Sequence, residues 1–174
     1  AFAGPRPETA PSYGILLLAH GGSPAWNEQV LSLRSNIDPR VPTEVAFGMA
    51  DPVEISRALR RLEERRPGKV VAVPLFINSA SEVLEQTRYV LGLSKNPSET
   101  MRRAALSMPG HAQHHMFSLE RVRAALPLVM TPALDSHPFV GEVLLERARA
   151  LSRDPKKETV VLVGHGPVDE KALS

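Results

Sequence analysis

No cysteine occurs among the 174 residues, which excludes disulfides, thiolate metal sites, haem attachment through sulfur and a thiol nucleophile. The compartment stays open, because a cysteine-free chain is tolerated in reducing and oxidising surroundings alike. Long hydrophobic runs are missing too. Ile15–Ala19 and Val70–Ile77 are the most extended apolar stretches, far short of the roughly 20 residues needed to span a bilayer. An excess of one charge is also lacking: 21 Lys and Arg stand against 19 Asp and Glu, a formal +2. The signs are interleaved, so no polyanion-binding face is signalled; the small positive excess suits an acidic small molecule without requiring one. Neither a Walker phosphate loop, a GxGxxG fingerprint nor a GxSxG elbow is present, which weighs against nucleotide binding and serine hydrolysis.

What is there fits one substantial core: 43% hydrophobic and 23% charged residues are ordinary for a folded domain. The opening AFAGPRPETAPS, residues 1–12, reads as a flexible lead-in. It would suit the processed end of an exported protein, but it carries neither a charged n-region nor an apolar h-region, and a cytoplasmic location is the expectation.

Short apolar runs alternate with longer amphipathic stretches. Gly14–Ala19 is continuously apolar and ends in His-Gly-Gly, as a strand buried on both faces would. Ser23-Pro24 can cap and open a helix. Thr43–Gly48 predicts a second strand, and Asp51-Pro52-Val53-Glu54 a helix start, with Ile55, Ala58, Leu59 and Leu62 on one face. Lys69–Ile77 predicts a third strand and Ser79–Leu91 a helix with Val83, Thr87, Val90 and Leu91 at helical spacing. A short helix is expected at Ser118–Leu126 and a strand at Leu128–Ala133. Pro138 should open a helix whose inward face holds Val140, Val143, Leu144, the Arg147 stem and Leu151; Thr159–Val163 predicts a fifth strand. Strict alternation implies an α/β fold, a parallel sheet of about four strands in the main domain with helices on both faces. Ligands of such sheets bind beyond the carboxyl ends of the strands. His20, Asn78, His137 and His165 each follow a predicted strand, so all are expected at one rim.

The organisation expected is a domain over 13–157, interrupted at 93–126 by a polar, weakly periodic insert or lid-like segment. GILLLAHGGS (14–23) is echoed by TVVLVGHGPV (159–168) with the histidine in the same place. The echo implies that 158–174 begins a second copy of the domain, and that the chain is a fragment of a longer one.

His20 is the leading candidate for chemistry. Flanking glycines let a ligand approach, and a neutral imidazole suits divalent cobalt, nickel or iron and can accept a proton. A histidine merely hydrogen-bonded in a tight turn is the competing reading; the repeat at His165 favours the functional one. LLLAHGGS, then DPVEISRALRRLEERRPGKVVAVPLFI, then a strand leading to His-Pro and a helix, resembles the CbiX and SirB-type sirohydrochlorin chelatases of the class II chelatase-like group. The resemblance runs from Tyr13 to Asp154, omitting 93–126, and resumes at Thr159.

It implies a chelatase-like fold and insertion of a divalent metal (Co2+, or else Fe2+ or Ni2+) into sirohydrochlorin on the way to cobalamin or sirohaem, with no organic cofactor. It further implies a metal site of two histidines, one after the first strand and one just after the PLF strand. His20 matches the first. At the second the chain reads PLFINSASEVLEQ, and Glu82 stands where the histidine would fall. Glu82 can bind metal or take a pyrrole proton, and a His–Glu pair resembles the site of protoporphyrin ferrochelatases. The plain alternative is that Ser79-Ala-Ser-Glu82 is a capping box. Asn78, Ser79, Arg88 and His137 are substrate-binding candidates, as is Arg34, because a macrocycle rich in carboxylates would be anchored by basic groups. His111, His114 and His115 could share a helical face for metal or form a solvated cluster. A non-catalytic metal or tetrapyrrole binding protein with the same fold is the alternative function, a purely structural oligomerising domain a third. A homodimer, or a pseudo-dimer of repeated domains, is the expected assembly, with no nucleic acid or membrane partner.

Overall fold

The computed structural model describes residues 11–99, 101–103 and 119–164. Four parallel strands form one sheet in the order β2-β1-β3-β4: β1 (Gly14–Ala19), β2 (Thr43–Phe47), β3 (Val70–Pro74) and β4 (Leu128–Met130). Helices accompany them: α1 (Pro24–Ile37), α2 (Pro52–Glu64), α3 (Glu82–Val90) and α4 (Pro138–Leu151), and residues 99 and 101–103 are helical as well.

The unbroken apolar run of β1 follows from its place. It is paired on both edges, Leu16 lying between Glu44 and Ala72, and it is covered on both faces. Leu16 and Leu18 join Ala46, Ala58, Leu59, Leu62, Val70, Ala72 and Val90 in the core under α2 and α3. Leu17 and Ala19 face the other way, against Val30 of α1 and Val45. Alternate residues of one strand thus serve two cores. The amphipathic reading of α2 holds in full: Pro52, Ile55, Ala58, Leu59 and Leu62 are its buried residues, and Asp51 caps it through the N–H groups of Val53 and Glu54. Asp51→Ala is expected to cost about 1 kcal/mol, read as a lower denaturant midpoint at unchanged slope.

The β2 edge is closed by charge. Glu44, 8% exposed, receives Arg34 of α1 at 3.0 Å and Arg61 of α2 at 2.7 Å, while Arg34 Nε also donates to the Thr43 carbonyl. A strand edge gripped in this way is a poor template for another chain. It also removes Arg34 from candidacy: this arginine lies in the last turn of α1, beside the start of β2 and away from the strand ends where ligands bind.

Several expectations are corrected. Strands β3 and β4 are shorter than predicted, because the chain leaves the ladder at Leu75 and at Thr131, held by Leu75 N–Leu18 O and Thr131 N–Ala72 O. No helix forms over 119–126. That stretch is a strap: Val122 N donates to Val90 O, Ala125 N to Glu63, and Arg121 stacks on Tyr89 at 4.5 Å and donates to Ser94 and Lys95 carbonyls. Such contacts are invisible to periodicity. The face of α4 expected to point inward does not, Val143, Leu144 and Leu151 being 49, 42 and 85% exposed; Val140 alone is half-buried. Periodicity registers an apolar stripe but not the partner that covers it. Residues 159–163 likewise form no strand: they pair with no described neighbour, and Val163 is 93% exposed. The turn before them is nonetheless built, with Glu158 accepting from Ser152 Oγ and the N–H groups of Arg153 and Asp154. His111, His114, His115 and His165 lie outside the described residues.

Candidate functional site

The chain runs from β1 outward to β2, then back across β1 to β3, so α1 and α2 lie on opposite faces of the sheet. The reversal falls between the carboxyl ends of β1 and β3, the position at which open α/β sheets hold ligands. His20 follows the end of β1, and Asn78, Ser79 and Glu82 follow β3. The topology therefore brings these candidates beyond the carboxyl ends of two neighbouring strands. His137 comes from the next loop along the rim, after β4.

His20 is exposed, and its Nδ1 lies 2.8 Å from the Gly21 carbonyl oxygen. A carbonyl can only accept, so Nδ1 carries the proton and, in the neutral ring, the lone pair resides on Nε2. A backbone contact of this kind both orients a ring and fixes which nitrogen can meet a metal or take up a proton. The turn beneath is built for it. Gly21 sits at φ +82, a conformation that side chains disfavour. Gly22 N donates to Asn27 Oδ1 at 2.9 Å, and Ser23 caps α1 through Trp26 N. Gly48, at φ +121, closes the neighbouring loop by donating to Ala19 O.

The loop after β3 differs from its expected form. Ser79 does not cap α3; Ser81 does, accepting from Leu84 N. Glu82 thus opens the helix as its first residue and is exposed, which overturns the capping box drawn from Ser79 to Glu82. Ser79 turns to the loop after β4 instead. Its N–H and Oγ–H donate to the two carboxylate oxygens of Asp135 at 2.7 and 2.6 Å, and its Oγ accepts from Ala133 N at 2.8 Å. These Ser79 hydrogen bonds, helped by the charge of Arg88, hold the Asp135 carboxyl below its ordinary range against the opposing effect of burial. A depressed carboxylate contributes stability that is fully present above its unfolded value, near pH 4, and is lost as pH falls through the folded value. The contact is therefore charged throughout the neutral range.

The remaining candidates are engaged locally. Asn78 Oδ1 accepts from Ala80 N at 2.8 Å. Arg88 reaches back to the Ser79 carbonyl at 3.4 Å. His137 is the cap of α4: Nδ1 accepts from Phe139 N at 3.3 Å, and its ring lies 4.7 Å from that of Phe139. Its Nδ1 lone pair is thereby engaged. A cavity of about 320 Å³ lies to one side, lined by Glu85, Arg88, Ser94, Asn96, Pro97 and Ser98; neither His20 nor Glu82 borders it. Among the described residues no group of three or more His, Asp or Glu is placed to hold a metal ion, and no helix is long and apolar enough to cross a membrane. Asp135 is the residue that sequence reasoning missed. Its one outward sign, a turn-prone Asp-Ser before His-Pro, is too common to single it out.

A parallel sheet of this order with helices on both faces is a chelatase-like α/β architecture. The chain belongs to the CbiX family, whose model matches residues 14–151, from the first residue of β1 to the last of α4. Proteins of this family are chelatases, with a divalent metal and a tetrapyrrole as their substrates. Among individually curated proteins no match to the chain is found.

Proposed function

We propose that the protein inserts cobalt, or alternatively iron, into a sirohydrochlorin-type tetrapyrrole, with His20 and Glu82 as its working groups. The observation that carries this reading is the His20 Nδ1–Gly21 O contact of 2.8 Å, which in the neutral ring leaves the lone pair on Nε2 of an exposed side chain, beyond the carboxyl end of β1. Insertion exchanges two pyrrole protons for one divalent ion, so the protein must offer a place for the ion, a base and a cleft for the macrocycle. Nε2 of His20 serves as ligand or base. Glu82, opening α3 after the neighbouring strand, is an oxygen donor that also accepts a proton. Asn78 NH2 and Arg88 supply donors for the carboxylates of the macrocycle.

Pairing with a second domain of the same kind, as a homodimer or a pseudo-dimer of repeats, accounts for the apolar faces left open. Phe139, Val143 and Leu145 of α4 are 65, 49 and 50% exposed, and Val161 and Leu162 are 77 and 70% exposed. Exposed apolar surface of this kind suits an interaction site, and a facing domain would also cover the strand ends.

The second reading, a non-catalytic metal or tetrapyrrole binder, is favoured by the carboxylate that stands where the resemblance places a histidine. One assay separates the two. Protein, sirohydrochlorin and Co2+ or Fe2+ are mixed, and the macrocycle absorbance is followed against the protein-free rate. Acceleration with turnover supports the chelatase; stoichiometric binding at the background rate supports the binder.

A further inference from the structure

We propose that Asp135 is a positioning residue for metal insertion: by clamping Ser79 across the rim, it fixes the loop that delivers Glu82 opposite His20. The inference rests on the chelatase reading above and adds to it a group that touches neither metal nor macrocycle.

The two loops concerned follow adjacent parallel strands, β3 and β4, yet the residues joined are 56 positions apart in sequence. The joint is dense. Both carboxylate oxygens of Asp135 are used by Ser79, one by its N–H at 2.7 Å and one by its hydroxyl at 2.6 Å. The same hydroxyl accepts from Ala133 N at 2.8 Å. The backbones are stitched together as well, Leu134 N donating to Phe76 O at 3.0 Å and Asp135 N to Ile77 O at 2.8 Å. Asp135 holds a left-handed φ of +46 to make these bonds, a conformation that non-glycine residues rarely adopt. Arg88, two turns along α3, reaches back to the Ser79 carbonyl, so the clamp is braced from the helix that Glu82 opens.

Placement is what distinguishes this clamp from ordinary stitching. It lies outside the core, joining half-buried Ser79 to exposed Asp135 beyond the strand ends, where the fold is already secured by the ladders of β1, β2 and β3. The first turn of α3 begins within three residues of Ser79. Loosening this loop would displace Glu82 while leaving the sheet intact, and a donor displaced by about 1 Å can cost a reaction roughly a hundredfold.

The replacement Asp135→Asn tests the clamp sharply. An amide presents one accepting oxygen and one NH2 group, so Ser79 would lose one of its two charged acceptors, and its hydroxyl would have to turn from donating to accepting. Asp135→Asn, Ser79→Ala and the double variant are prepared in the full chain beside His20→Ala. Each is titrated with Co2+, its visible absorption reporting the coordination sphere, and each is assayed for insertion, with the thermal midpoint checking the fold. Asp135→Asn is expected to weaken Co2+ binding and to lower kcat by roughly ten- to a hundredfold, with an altered cobalt spectrum and a nearly unchanged midpoint. The double variant is expected to be no worse than Asp135→Asn, since the effect passes through Ser79. Wild-type cobalt affinity, spectrum and kcat in Asp135→Asn, while His20→Ala loses insertion activity, would overturn the clamp and leave the chelatase reading standing. Full metal binding and activity in His20→Ala would instead remove the reading and the clamp with it. If Asp135→Asn does not fold, Ser79→Ala decides alone, and a wild-type spectrum and rate there overturn the proposal.

Discussion

His20→Ala is expected to lower the insertion rate by roughly 10²- to 10⁴-fold, the range that a positioned proton acceptor contributes, toward the rate at which metal enters the free macrocycle. The effect should fall on chemistry alone. His20 is exposed and its described hydrogen bond is to the adjacent residue, so its removal opens no cavity and the thermal midpoint should hardly move. Co2+ affinity should fall in parallel if the ring is a ligand, and stay unchanged if it is only a base. Measuring both quantities on one variant thus separates the roles. A variant that inserts metal at the wild-type rate would sink the proposed site.

The second large effect is on stability. Leu16→Ala is expected to cost about 2–5 kcal/mol, because Leu16 is 0% exposed and sits on the central strand, flanked by partners on both edges. For a domain of this size that corresponds to roughly 2–4 °C of melting temperature per kcal/mol, readable by circular dichroism. A loss below about 1 kcal/mol would mean that the core under α2 and α3 collapses around the gap, contrary to the tight packing of Leu59, Leu62, Val70 and Val90 described there. The contrast with His20→Ala is the useful part: one variant should lose activity without stability, the other stability first.

Much of the fold was legible in the sequence. A buried parallel strand must be apolar on both faces, and Gly14–Ala19 declares it; an Asp cap before Pro-Val-Glu and apolar residues at 55, 58, 59 and 62 declare α2. The rim position of His20 and of the loop after β3 followed from alternation alone. The failures share a cause. Local pattern predicts a helix at Ser118–Leu126 and a strand at Thr159–Val163, whereas both states depend on partners supplied from elsewhere. The strap obtains its partners from Val90, Glu63 and Tyr89, and 159–163 has no ladder among the described residues. The role of Ser79 was hidden for the same reason. A serine three residues before a glutamate fits a cap by spacing, but its contact with Asp135 is set by strand order, and no single-sequence pattern reveals that order. Nothing but resemblance singles out Glu82, because no local pattern distinguishes a metal-facing carboxylate from one that opens a helix.

The contact between the His20 ring and the Gly21 carbonyl has a consequence for timing. With one ring nitrogen committed to the backbone, the imidazole has a single lone pair to offer, and a metal ion and a pyrrole proton would compete for it. The ring cannot hold its cargo and collect a proton in the same instant. Were it to serve both ends, the ion would have to leave before the proton arrives, and the positive charge then left on the imidazole would repel the departing cation. Protonation would thereby act as a ratchet, making return of the metal to the protein uphill until the ring sheds its proton to water.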